Sequence, residues 1–419
     1  MYLCLFEDDQ IDHLLPLVAT RAVYDLRLGI RTLLETTREA FAAPPTLLHA
    51  RSLIAPVTAQ ENNLPANRIP HDADVLFVNG RLIAEDGPLL ERLRRAARNG
   101  EPARVFVQDE EVVAAWVPRA RDGLVQAEAV ARATFEGLPE ETVEGARLVD
   151  RLWHLIDALR PALLRDFAAR TAGRSLQDRT GAGIHESAVL IEEERIYVAP
   201  GATLRPGVIL NAEGGPIFID EHATVMEHAV VKGPVYVGPG THIKVAANIE
   251  GSAIGERSKV GGEVHDSLVH SFSNKAHVGF LGHSYLGRWC NLGAGTNTSN
   301  LKNDYGPITL FDAATGAFDP TGRQFLGLFM GDHSKCGINA TFNTGTVVGV
   351  FCNIYGAGLP PRTLPSFSWG SAATGFVEYR LDKALRVAET VMARRQKHLT
   401  DAERIALTAL FEARKEAGR

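Results

Sequence analysis

Every sixth residue from Ile219 is a β-branched aliphatic: Ile219, Val225, Val231, Val237, Ile243 and Ile249. The same period surfaces earlier at Val198 and Leu204. It returns in Phe280, Leu286 and Leu292, and again in Phe342, Val348 and Ile354. This spacing fits neither a helix nor an alternating strand. It fits a short strand and a tight corner, repeated, with one aliphatic pointing inward per side of a triangular coil. Small residues follow several inward positions, as in Ile254-Gly255, Leu286-Gly287, Leu292-Gly293 and Val348-Gly349, and suit the corners. The competing reading is a sandwich with regular turns. The period predicts a parallel β-helix of six-residue repeats from about Ile184 to Gly358. Its register breaks at Asn211 to Pro216, slips between Val260 and Leu268, and is lost from about Asn300 to Lys335. The last break predicts a loop thrown out of the coil, and long excursions from a rigid scaffold are usually functional.

Upstream the pattern changes. Met1 to Phe6, Asp74 to Val78 and Arg104 to Val107 read as buried strands, with helical patterns at Gly29 to Phe41 and Pro88 to Asn99. Alternating strands and helices predict a parallel α/β layer over residues 1–148. Leu152, Leu155, Ile156, Leu159 and Leu163 mark an amphipathic helix joining the halves over residues 149–173, and Gly173 to Gly183 reads as its exit. The coil is assigned residues 174–375. A helical segment at 376–419, patterned by Leu381, Leu385, Ala388 and Val391 and broken near His398 to Asp401, is expected to cover the open end of the solenoid.

Several function classes are disfavoured. The N-terminus turns acidic after Phe6 and has no basic region, so it is not read as a signal peptide. No apolar run approaches the roughly eighteen residues that span a membrane. Cys4, Cys290, Cys336 and Cys352 are scattered, which fits reduced thiols in a cytoplasmic protein. A net charge of -6 argues against a general nucleic-acid binder.

The stretch Asn274-Lys275-Ala276-His277-Val278-Gly279-Phe280-Leu281-Gly282, then Leu286-Gly287 and Asn291-Leu292-Gly293-Ala294-Gly295-Thr296, resembles one family. It is similar to the acetyltransferase half of the bifunctional N-acetylglucosamine-1-phosphate uridyltransferase / glucosamine-1-phosphate acetyltransferase. The whole chain most resembles a shorter branch of sugar nucleotidyltransferases. The resemblance implies an α/β nucleotidyltransferase-like N-terminal domain, a left-handed parallel β-helix and a C-terminal helix. It further implies a cytoplasmic homotrimer in cell-envelope biosynthesis, acting on a sugar phosphate or nucleotide sugar with acetyl-CoA or another acyl-CoA.

By the same resemblance His277 is the general base, although one residue is missing between Ala276 and His277, and Phe280 stands where the family has a tyrosine. Asn291 matches a substrate-contacting asparagine, and Lys275 lies in the same motif. Lys302 and Tyr305, with Asp304, fall in the family's substrate loop, and Arg205 matches an arginine that contacts nucleotide phosphate. The chemistry is coherent on its own terms. Acyl transfer from a thioester needs a base for the attacking amine or hydroxyl, and imidazole titrates near about 6.5. Charge developing on the thioester oxygen needs donors, which the Gly293-Ala294-Gly295 turn can offer as N–H groups.

The first domain departs from its family pattern. Where relatives carry a glycine-rich phosphate loop, this chain has Glu7-Asp8-Asp9-Gln10-Ile11-Asp12-His13. Where they carry a magnesium-binding aspartate, the segment Val75 to Arg81 ends in Arg81, and a cation does not ligate Mg2+. Asp74, Glu85 or Asp109 would have to take over, or metal-dependent transfer is lost. Arg21, Arg27 and Asn79 remain as nucleotide contacts. Three further readings stand beside acyl transfer. Sugar-1-phosphate nucleotidyl transfer is the main activity in one, and a non-catalytic nucleotide-sugar-binding protein is another. The third is a zinc enzyme resembling β-helix carbonic anhydrases, built on His265 and His270 with His242 or His283; no metal ligand is assigned otherwise.

Overall fold

The computed structural model describes residues 1–98, 101–120, 128–176 and 178–417. Asn99, the expected end of the second helix, and Gly418 and Arg419 lie outside them, as does Gln177 in the linker exit.

The N-terminal domain is built on a six-stranded sheet, in the order Thr46–His49, Tyr2–Phe6, Ala73–Asn79, Glu111–Ala120, Arg104–Gln108, Glu140–Thr142. The first three strands are parallel, but Glu111–Ala120 runs antiparallel to both its neighbours. The expected parallel layer is therefore a mixed sheet. The reversal is made at Asp109 and Glu110, both at positive φ (50° and 69°), a tight hairpin turn made without the glycine or asparagine that usually signals one. Helix α1 (Leu33–Ala40) starts later than the pattern from Gly29 suggests, because Thr32 and Glu35 form a capping box. Helices α2 (Ala55–Asn62) and α3 (Pro88–Arg98) complete the layer. The linking helix is two helices, α4 (Leu152–Asp157) and α5 (Leu159–Thr171), broken at Ala158.

From Gly183 the chain winds into a parallel β-solenoid whose three faces belong to sheets of six, nine and eleven strands, the last including one antiparallel end strand, Gly375–Glu378. Ile219, Val225, Val231, Val237, Ile243 and Ile249 are all fully buried in its axial core, as the period requires. The slip after Val260 is a shortened coil. Register pairs Val237 with Ile254 and Ile254 with Val269, and Gly261-Gly262 cuts the corner.

The nine-stranded face is apolar outside as well as inside. Its outward residues Tyr197, Phe218, Tyr236, Leu268, Tyr285 and Phe329 are buried in one continuous core with Leu26, Trp153 and Leu159 of the first half. The α/β domain thus lies along the coil's flank. The Tyr285 hydroxyl accepts from the Arg27 N–H and donates to the Arg27 carbonyl, both at 3.1 Å.

The excursion after Asn300 is not an open loop. Strands Ile308–Asp312 and Ala317–Arg323 form a hairpin that returns to the α/β domain. There His13 meets Asp312 at 2.6 Å and Arg323 pairs with Asp157, while Ile308 and Leu310 join the shared core.

Nor do the C-terminal helices plug the coil. The last turn ends in a small antiparallel pair, Ser368–Ser371 with Gly375–Glu378. Helices α6 (Leu381–Ala393) and α7 (Asp401–Ala417) instead lie along one corner, and α7 also packs on α2. That corner carries a column of rings, Phe272, Trp289, His333, Phe351 and Phe367, stacked within 18° of parallel.

Burial in this column, with Lys335 nearby, presses the His333 pKa down to about 3. In the unfolded chain a histidine titrates near about 6.5. As pH falls below that value the unfolded state takes up a proton the native state refuses, so this residue costs about 1.4 kcal/mol of stability per pH unit until pH about 3. His333→Phe is therefore expected to unfold less readily in acid than the wild type. Urea denaturation at pH 7 and pH 5 checks this, and an unchanged stability difference between the two proteins at those pH values would contradict it.

Candidate functional site

His277 sits on the corner that follows strand Asn274–Lys275. The turn is held tight by Gly279 at φ +120°, where an added Cβ would lie 2.0 Å from the Thr296 carbonyl of the next coil. Lys275 is buried, and its ammonium donates to the Gly261 and His277 carbonyls at 2.8 Å each. Burial lowers its pKa to about 8. Lys275 therefore braces the His277 corner from inside, where the sequence reading expected it to face a substrate.

The His277 ring is exposed and makes no hydrogen bond among the described residues. It opens on a groove of about 370 Å3 with Lys259, Asn291, Ala294, Arg394 and Arg395. Asn291 accepts from Asn274 at 3.3 Å, and among the described residues its own amide N–H2 has no acceptor. In the Gly293-Ala294-Gly295 turn, Gly293 donates to Cys336 and Gly295 to Val278. Among the described residues the Ala294 N–H alone of the three has no acceptor, so the turn offers one donor to the groove rather than several. An imidazole, a side-chain amide and a residue with an unpaired backbone N–H border one space, groups of the kinds that acyl transfer uses.

The structure brings His277 and Asn291 together and separates the other expected residues from them. Arg205 pairs with Glu227 at 3.2 Å on an earlier coil. Lys302 pairs with Asp304 at 3.2 Å beside a different cavity, which Arg362 and Asn343 also line, and Tyr305 is 67% exposed on the same excursion. The hairpin's return to the α/β domain carries that segment off the groove. Arg394 and Arg395 are functional candidates the sequence reading missed. They reach the groove because α6 runs back along the coil, so that Arg395 donates to Asn274 at 3.2 Å across 121 residues.

The three residues expected to contact a nucleotide are all engaged within the protein. Arg21 is 1% exposed and pairs with Asp332, binding the α/β domain to the coil. Arg27 donates to the His270 carbonyl at 3.2 Å and to that of Ile30. Asn79 is fully buried and donates to Asp8 at 2.7 Å and to the Val112 carbonyl at 2.9 Å. Two of the acids after the first strand, Glu7 and Asp8, are neutralised within the domain. Glu7 pairs with Arg51 at 3.1 Å, and Arg81 reaches Asp8 and Glu111 at 2.6 Å each and also Asp150. Burial works against the Arg81 charge, but Asp8 and Glu111 outweigh it, and its pKa is raised.

Magnesium does not fit these residues, because a guanidinium already holds the place between the carboxylates. Asp74 accepts from the Arg119 N–H and Glu85 pairs with Arg147, so neither converges on the cluster. The zinc arrangement is not assembled either. His270 is buried with Nε2 on the Asp25 carbonyl at 2.9 Å, while His283 meets Asn300. Among the described residues no group of three His, Cys, Asp or Glu side chains is placed to hold a metal.

Fold and site together define a class: a nucleotidyltransferase-like α/β domain joined to a hexapeptide β-solenoid with an acyltransferase-like groove. Residues 3–175 match the family model of sugar nucleotidyl transferases. The chain is 33% identical over 102 residues to the bifunctional sugar-1-phosphate nucleotidylyltransferase/acetyltransferase of Sulfurisphaera tokodaii, covering 24% of this chain and 25% of that protein. It is 30% identical over 135 residues to the bifunctional protein GlmU of Methanocaldococcus jannaschii, covering 32% and 30% respectively. Among solved structures it aligns with an Arabidopsis UDP-N-acetylglucosamine acyltransferase at 15% identity and a TM-score of 0.24, over 52% of this chain and 79% of that one. The matched stretches span about a quarter to a third of the two curated relatives. The family resemblance read from the sequence is borne out.

Proposed function

We propose that the protein is a transferase that moves an acyl group from acyl-coenzyme A to an amine or hydroxyl of a sugar phosphate or nucleotide sugar. His277 takes the proton from the attacking group, Asn291 orients the acceptor, and the Ala294 N–H stabilises the oxyanion. The observation that carries this reading is the convergence of those three groups on one groove. The groove is shallow, and Val245, Val278 and Ile338 beside it are 53%, 74% and 70% exposed. A neighbouring subunit would cover them, which supports a homotrimer with its sites between chains. No helix among the described residues is long and apolar enough to cross a membrane, and a cytoplasmic location accords with the buried, free cysteines.

A second reading concerns the first domain. The Arg81 cluster disfavours metal-dependent transfer there, and the family match of residues 3–175 supports binding of a nucleotide sugar without it. A thermal-shift screen separates the two roles. Acetyl-coenzyme A is expected to raise the midpoint through the coil, and one of the UDP-, dTDP- or GDP-sugars through the α/β domain. A nucleotide sugar that shifts the protein while acyl-coenzyme A does not would discard the acyltransferase reading and leave a binding protein.

A further inference from the structure

Cations crowd the groove from two directions. His242, Lys259, Asn274 and Asn291 occupy the same outward position in successive coils, with Lys244 close by, and the end of α6 brings Arg394 and Arg395 over them. Among the described residues none of Lys244, Arg257, Lys259, Arg394 or Arg395 is in an ion pair, in a chain of net charge -6 where most buried arginines are paired. The Lys259 pKa is lowered by burial, then by Arg395, Lys244 and Arg394; that of His242 by burial, then by Lys259, Lys244 and Arg395. The neighbours named in each case are all positive.

The negative end of the α6 dipole accounts for arginines at its C-terminus. It does not account for the lysines and histidine that face them from the coil, since those belong to a separate element. Like charges held this close repel one another, and an anion between them removes the repulsion. Arg395 is preorganised for such a ligand: it donates to Asn274 at 3.2 Å, and its carbonyl accepts from Arg257 at 3.3 Å. Among the described residues the side chains of Arg394 and Lys259 make no hydrogen bond and are free to close on it.

We infer that Lys259, Arg394 and Arg395, backed by Lys244, form a phosphate clamp that holds a phosphorylated substrate beside His277. This rests on the acyltransferase reading and deepens it. The shared ligand chemistry is a phosphate or diphosphate group, carried either by the acyl donor or by the acceptor sugar. The clamp also makes the C-terminal helix part of the site, so that each chain supplies its own phosphate contacts.

The test is isothermal titration of the full-length protein with two pairs of probes: coenzyme A against pantetheine, and glucosamine 1-phosphate against glucosamine. The double variant Lys259→Ala/Arg394→Ala removes two cations that hold nothing else in place and relieves their repulsion, so its thermal midpoint should not fall below that of the wild type. The preference for the phosphorylated member of at least one pair is expected to fall about tenfold or more. The charge-conserving Lys259→Arg/Arg394→Lys variant should keep it. A loss confined to coenzyme A assigns the clamp to the donor, and a loss confined to glucosamine 1-phosphate assigns it to the acceptor. If both preferences survive within about twofold in the alanine variant, the clamp is wrong. His277→Ala should keep phosphate binding while losing turnover, so a failure of the base assignment shows separately from a failure of the clamp.

Discussion

Replacing His277 by alanine is expected to lower acyl transfer by about a hundredfold to ten-thousandfold, the range that a positioned general base supplies. The loss should fall on kcat, because the imidazole acts on a proton that moves only as the nucleophile attacks the thioester. Stability should hardly change. The ring is exposed and makes no hydrogen bond among the described residues, so its removal leaves no cavity and no buried polar atom unsatisfied. Single-turnover kinetics with acetyl-coenzyme A and a panel of sugar phosphates, together with a thermal midpoint, is the measurement. Turnover within a few-fold of wild type by the folded variant would remove His277 from the mechanism. Lys275→Met differs in kind. It strands the Gly261 and His277 carbonyls, so its effect on rate should come with a lowered midpoint.

The axial core was legible because its signal is one-dimensional. Ile219 to Ile249 repeat at a fixed period, and all six side chains fill the closed apolar interior. The outer apolar face was not legible, though it is as buried. Its residues Tyr197, Phe218, Tyr236 and Tyr285 recur only once per coil, and the coils differ in length. Arg21 read as a phosphate contact because a sequence shows an arginine without its partner, here Asp332, 311 residues away. The excursion after Asn300 read as an open loop for the same reason, since the hairpin's anchors His13, Arg151 and Asp157 lie in the other half. His277 and Asn291 could be named as candidates from the sequence because both lie in one contiguous motif. Arg394 and Arg395 were missed because only the path of α6 brings them there.

Arg81→Ala should be the most destabilising of these substitutions and the most informative about the first domain. The guanidinium is fully buried, and the carboxylate that depends on it most, Asp8, is 8% exposed in its side chain. Stranding that charge costs about 3–5 kcal/mol, as for other broken buried pairs. Glu111 and Asp150 are a third or more exposed and should add little, because solvent screens them. The double variant Arg81→Ala/Asp8→Asn should recover part of the loss, since it removes the stranded charge along with its partner. The same cluster predicts an altered response to metal. Wild type should show no change in midpoint with about 10 mM Mg2+, because Arg81 already supplies the positive charge. Arg81→Ala frees carboxylates that converge on one point and should gain a Mg2+-dependent rise. A rise in the wild type instead would mean that the domain holds its metal elsewhere, and would restore nucleotidyl transfer as an activity of the α/β half.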